Sequence, residues 1–105
     1  SRVPHSGRGF ESYGEDPFLT ASLATTFVQG LQSQKVIAST KHLLLNDQEV
    51  DRDTINVEAD ERTMREIYLP PFLSAVEAGT WSVIVYFTVR FFIKVVKAPP
   101  GNPGP

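Results

Sequence analysis

VIASTKHLLLNDQEVDR, residues 36–52, opens on a short apolar run and ends in a string of polar and acidic positions. Val36, Ile37 and Ala38 make the continuous apolar segment that a buried parallel strand requires, because such strands are covered on both faces. The strand is predicted to deliver Lys41 and His42 side by side where it stops. In an α/β barrel the carboxyl ends of the strands face the ligand, so two basic groups there point to a site. Read from periodicity alone, a Lys-His pair after a strand is more often a solvated loop.

Upstream of this stretch, residues 1–15 are rich in Gly, Ser and charge and read as an ordered loop. Asp16 is placed to cap a helix and Pro17 to fill its first turn, where a missing N–H costs nothing. Leu19, Leu23, Phe27 and Leu31 then fall on one stripe, with Ala24 and Val28 beside them, which predicts an amphipathic helix to about Ser33. Downstream, Asp47, Glu49, Asp51 and Glu58 match positions 1, 3, 5 and 12 of a calcium-binding loop, but Arg52 stands where the sharp turn needs Gly. That match is read as accidental. Asp60 is a cap for a helix with an apolar face of Met64, Ile67 and Tyr68, expected to be interrupted at Pro70-Pro71. A second helical piece, Phe72 to Ala78, is expected to close at Gly79. Trp81 to Phe87 then reads as a second buried strand.

Strands alternating with helices predict a parallel sheet, hence an open doubly wound fold or a barrel of the α/β class. Two parallel strands cannot shield both faces of a sheet, so the chain is expected to be a piece of a larger domain or to depend on a partner. Arg90 to Val96 prolongs the apolar strand, and APPGNPGP ends regular structure, which predicts an exposed edge followed by a disordered tail.

Composition narrows the function. The 105 residues are 41% hydrophobic, enough for one modest core. Ten basic against twelve acidic side chains give a formal charge of −2 with no basic stripe, which argues against nucleic acid as a partner. No cysteine is present, so disulfides and thiolate metal sites are excluded. Neither His5 nor His42 has a companion at metal-ligand spacing, and no metal or other cofactor is expected. The opening SRVPHSGRG lacks an apolar signal-peptide region. The apolar run from Trp81 to Val96 is broken by Arg90 and Lys94 and falls short of the roughly 20 residues that span a bilayer, so no membrane association is expected.

Three motifs carry a family likeness: GRGFESYGEDPFL at 7–19, KHLLLNDQE at 41–49 with Arg52 beyond it, and DERTMREIYLPPF at 60–72. In this order and at these separations they resemble the family-three glycoside hydrolases, in particular the β-glucosidase branch, over about residues 3–84. The resemblance implies that residues 1–88 are about two strands, with their helices, of an incomplete TIM-type (β/α)8 barrel. Residues 89–105 are then a divergent strand extension and Pro/Gly-rich tail. It implies a multidomain parent that removes terminal non-reducing β-D-glucosyl residues with retention, from a β-glucoside or oligosaccharide substrate. The rest of the barrel and the later domains would be its partners.

Residue by residue, Arg8 resembles the arginine that holds sugar hydroxyls in the first subsite, Lys41 and His42 the pair that grips the same ring, and Arg52 a further arginine of that pocket. Charged donors form hydrogen bonds about twice as strong as neutral ones, so such a pocket orients a sugar well. If Arg8 and Arg52 were not sugar ligands, they would be surface ion-pair partners of Glu11 or of the acids at 47–53. Lys41 would then be a solvated lysine. Retaining hydrolysis needs two carboxyl groups about 5 Å apart. In the family the nucleophile lies in a later strand and the acid/base usually in a later domain, so no catalytic residue is assigned here.

The likeness breaks after Trp81-Ser82-Val83. Tyr86 falls one residue early for the family's tyrosine, and a shift of one turns a strand side chain to the opposite face, so no sugar contact is assigned to it. The break suggests a misread splice, a shifted reading frame or an incomplete gene model, with the nucleophile in the true continuation. The alternatives are a non-catalytic sugar-binding or interaction fragment, or a β-xylosidase-type parent. A hexosaminidase is disfavoured, because Leu43-Leu44-Leu45-Asn46-Asp47 replaces that branch's Pro-Gly-His-Gly loop.

Overall fold

The computed structural model describes residues 3–46, 49–51, 54, 55 and 57–85. Helix α1 spans Pro17–Ser33. Its start follows from two residues: the Asp16 carboxylate accepts from the Phe18 and Leu19 amides at 2.8 and 3.4 Å, and Pro17 occupies the first position. Strand β1, Ser39–Leu43, pairs in parallel with β2, Ser82–Val85. Between them run α2, Glu61–Thr63, a π-helical stretch, Met64–Tyr68, and α3, Leu69–Glu77. The result is one βαβ unit preceded by a helix, an α/β piece whose two-stranded sheet is not closed.

β1 begins at Ser39, three residues after the start of the apolar run and just past its end, so Lys41 and His42 lie within the strand and not beyond it. Val36 and Ile37 are 49% and 61% exposed, and only Ala38 of that run is buried. What pairs the strands at this end is a set of hydroxyls. Ser39 Oγ donates to Ser82 Oγ at 3.1 Å, and Thr80 Oγ1 donates to the Ala38 carbonyl at 3.1 Å. Such cross-strand bonds set register as effectively as apolar pairs.

Pro70 and Pro71 do not interrupt the second helical region as expected. The chain passes from α2 through the π-helical turn directly into α3, whose first turn contains the prolines, where an absent N–H leaves no bond unmade. Asp60 caps the region, its Oδ1 accepting from the Thr63 amide at 2.6 Å. The helix surface carries two i,i+4 ion pairs, Arg62–Glu66 at 3.1 Å and Arg65–Glu61 at 2.8 Å. Gly79 ends α3 at φ +85°, with its N–H on the Val76 carbonyl and that of Thr80 on the Ala75 carbonyl. These two bonds define a Schellman motif, which requires the left-handed conformation that glycine adopts without a Cβ penalty.

The core lies where α1 crosses α3 above β1: Val28, Ala38 and Ala75 are buried, with Leu31 and Ala78 packed against them. The helical stripe that the sequence suggested is otherwise open, since Leu19, Leu23 and Phe27 are 48%, 41% and 56% exposed. The second strand is likewise not buried, with Ile84 and Val85 45% and 54% exposed. A single partner helix and two strands bury only the residues at the crossing. The N-terminal segment, expected to be irregular, contains one 3₁₀ turn, Gly9–Glu11. Asp47, Arg52, Tyr86 and the tail at 89–105, on which the sequence also sets expectations, lie outside the described residues.

A glutamine ties the two ends of this arrangement together. Gln32 Nε2 donates to the Gly79 carbonyl at 2.8 Å while its Oε1 accepts from the Trp81 amide at 2.9 Å. Gln32→Ala should therefore lower the stability by about 1 kcal/mol, or roughly 4–8 °C in Tm for a domain of this size. Gln32→Glu, which keeps only the acceptor, should fall between the two in a thermal melt.

Candidate functional site

The register of the sheet explains how neighbouring side chains reach one cavity. Lys41 pairs with Ile84 and Leu43 with Val85, so His42 is the extra residue of a bulge. Bulges re-aim side chains and recur beside binding sites. The Lys41–His42 and Leu43–Leu44 peptide bonds are cis. Both Lys41 and His42 line a cavity of about 340 Å³ between the N-terminal loop, α1 and β1. Apolar groups line it as well, among them Phe27, Val28, Pro71 and Phe72. Leu45, just past the strand, is buried with φ at +67°, a left-handed conformation uncommon for a non-glycine residue and more frequent around functional sites.

Arg8 reaches the same place from the 3₁₀ turn at the start of the chain. Its Nη1 lies 3.3 Å from His42 Nε2, its Nε donates to Glu11 Oε1 at 2.9 Å, and Nη1 is 3.9 Å from Glu49 Oε1. Lys41 Nζ donates to Glu11 Oε2 at 2.7 Å. Asn46 Nδ2 donates to Glu49 Oε1 at 3.1 Å and stands 3.4 Å from His42 Nδ1. Three of the four residues nominated from the sequence, Arg8, Lys41 and His42, thus converge on one wall; Arg52 is outside the described residues. Sequence reasoning assigned Glu11 and Glu49 only as possible surface partners, and passed over Asn46. The available signal was spacing: Glu11 is three residues from Arg8 on a tight turn, and Asn46 four from His42.

Close packing holds the loop in place. A Cβ on Gly7 would stand 2.9 Å from Glu49 Cβ and Cγ, so the residue before Arg8 has room only for glycine unless the Glu49 side chain moves.

The electrostatics are uneven. Hydrogen bonds from Lys41 and then Arg8 hold the Glu11 carboxyl below the usual range, which keeps it ionised and unsuited to donate a proton. Burial, followed by the positive charges of Arg8 and Lys41, lowers the His42 pKa against the opposing pull of Glu11 and Glu49. The ring is therefore neutral near pH 7. Arg8 Nη1 and Asn46 Nδ2 are both donors and a neutral ring has one acceptor nitrogen, so the ring accepts from one of them and not from both. The Thr63 amide and hydroxyl lower Asp60 similarly.

These directions fix a pH dependence. Glu11 and Asp60 have depressed folded values, so the stabilisation they give is complete above their ordinary values of 4.5 and 3.8 and is lost as pH falls through the lower folded ones. His42 is depressed from 6.5, so below that pH the unfolded chain takes up a proton that the folded chain resists, and stability falls there too. Thermal melts should show Tm declining from pH 6.5 downward, and His42→Gln should remove the upper part of the decline while leaving the acidic part.

Among the described residues no group of three or more His, Cys, Asp or Glu side chains is placed to hold a metal ion, and no helix is long and apolar enough to cross a membrane.

Comparison with known proteins gives this geometry its class. Residues 1–89 match the model of the glycosyl hydrolase family 3 N-terminal domain, and the chain belongs to that family, whose N-terminal domain is of the TIM-barrel type. A β-glucosidase of Rhizobium radiobacter is 51% identical over 80 residues, which are 75% of this chain and 10% of that protein. The β-D-glucoside glucohydrolase of Trichoderma reesei superposes with a TM-score of 0.80 at 40% identity over 83% of this chain and 12% of that one. The β-glucosidase 3B of Thermotoga neapolitana, solved in complex with α-D-glucose, gives 0.78 at 45% identity over 82% and 12%. The chain spans about a tenth of the length of these relatives.

Proposed function

We propose that the chain is part of the (β/α)8 barrel of a retaining β-glucosidase that acts on terminal non-reducing β-D-glucosyl residues. It supplies groups that grip the glucosyl ring and neither of the two carboxyl groups that cleave the bond. The observation that carries this reading is the convergence of Arg8, Lys41 and His42 at one cavity wall, although 34 positions separate Arg8 from His42. Two cations and a neutral imidazole offer donors, while Glu11 and Glu49 offer acceptors. A sugar hydroxyl uses both, and bonds that tighten as the ring flattens towards an oxocarbenium-like transition state raise the rate as well as the affinity. Arg52 is assigned to the same pocket on its motif position.

The relatives' names favour a glucosyl over a xylosyl parent. The exposed stripe of α1 supports a place within a larger barrel, because Leu19, Leu23 and Phe27 gain burial only from further packing. The boundary proposed from the sequence, barrel over 1–88 and divergent extension over 89–105, goes with this reading.

The chain alone, lacking nucleophile and acid/base, should not hydrolyse an aryl β-glucoside above the level of a Lys41→Ala, His42→Ala control. Turnover clearly above that control would overturn the assignment of the missing carboxylates.

A further inference from the structure

We infer that Glu11 is a positioning residue of the sugar site, a single carboxylate that holds Arg8 on one oxygen and Lys41 on the other so that both present their remaining donors to the cavity. The inference rests on the sugar-binding reading of Arg8 and Lys41, and adds a residue that acts only through them.

The geometry divides the work between the two carboxylate oxygens. Oε1 takes Arg8 through Nε at 2.9 Å, on the side of the guanidinium opposite Nη1, and Oε2 takes Lys41 Nζ at 2.7 Å. Arg8 Nη1 is left facing His42 and Glu49, and the ammonium keeps two of its three donors. Lysine is a flexible stem with a point charge, so a fixed partner decides where that charge sits. Two cations this close repel one another at well under the screening length of about 8 Å at physiological salt, and the shared carboxylate offsets that repulsion. The backbone prepares the arrangement: the Glu11 amide donates to the Arg8 carbonyl at 3.0 Å in the 3₁₀ turn, which brings the two side chains to one side before either meets Lys41. Among the described residues, the charged groups that act on the His42 ring are Arg8, Glu11, Lys41 and Glu49.

The test uses the full chain with Glu11→Gln and Glu11→Asp, glucose as the probe, and NMR to follow the His42 ring and the Arg8 Nε–H. Glu11→Gln keeps the shape and loses the charge; it should weaken the response to glucose at least about tenfold, as expected when two charge-assisted hydrogen bonds are lost. It should also lower the titration midpoint of His42, because a nearby carboxylate favours the protonated ring. Glu11→Asp should restore most of both. If Glu11 is only a surface ion-pair partner, Glu11→Gln leaves the glucose response where it was, and that result overturns the inference. Should the wild-type chain show no response to glucose, the sugar reading fails, and the Arg8 Nε–H signal decides whether Glu11 holds Arg8. A shift of that signal in Glu11→Gln that Glu11→Asp reverses sustains the positioning role, and an unchanged signal removes it.

Discussion

Ala75→Asp should leave the chain unfolded, with the helical far-UV signal lost at 20 °C and no cooperative melt. Ala75 has no exposed surface, and with Val28 and Ala38 it forms the contact between α1, α3 and β1. A carboxylate there has no cation to meet among the described buried residues, none of which is polar or charged. The effective penalty for burying an unpaired ion is several kcal/mol even after relaxation. That equals much of the 5–15 kcal/mol by which an ordinary domain is stable, and this core is small. The neighbouring substitution Val76→Asp is the control: Val76 is 56% exposed on the same helix, so its effect should be within about 1 kcal/mol. A folded Ala75→Asp with a normal melt would show that the crossing of α1 and α3 is not what holds the chain together.

The same core shows what the sequence disclosed and what it concealed. Local signals were legible wherever one residue answers one backbone demand: Asp16 and Pro17 start α1, Asp60 caps the second helical region, and Gly79 supplies the positive φ that ends it. The parallel pairing followed from the alternation of strands and helices. The strand position did not, because an apolar run reads as the mark of burial, whereas Ser39, Thr40, Thr80 and Ser82 set the register through their hydroxyls. Prolines after an apolar face normally read as a stop. A switch to π-helical geometry is a matter of backbone hydrogen bonding that leaves no mark in the spacing of side chains. At the site, motif order found Arg8, Lys41 and His42, yet their common carboxylate was hidden among twelve acids until distance separated Glu11 from the rest.

Arg8→Ala should abolish the measurable response of the chain to glucose. The wild-type chain is expected to bind the sugar weakly, with Kd above about 1 mM, since affinity below −4 kcal/mol would require the rigid support of further barrel strands. At that strength the response is read as chemical-shift change at the His42 ring and the Lys41 side chain. Arg8 meets three members of the wall: Glu11 through Nε, and His42 and Glu49 through Nη1. Its removal takes away hydrogen bonds worth about 1.5–3 kcal/mol each when charged, and leaves Glu11 and Glu49 facing the sugar with less opposing charge. Arg8→Lys should recover little, because a lysine has no second edge with which to hold Glu11 while reaching into the cavity. Its Tm should stay close to that of the wild type, since Arg8 lies outside the packed crossing of α1 and α3. Binding that survives Arg8→Ala unchanged would separate the sugar from this wall. Wild-type binding tighter than about 1 mM would instead favour a chain whose own business is to hold the sugar, without cleavage, over one that serves a larger hydrolase.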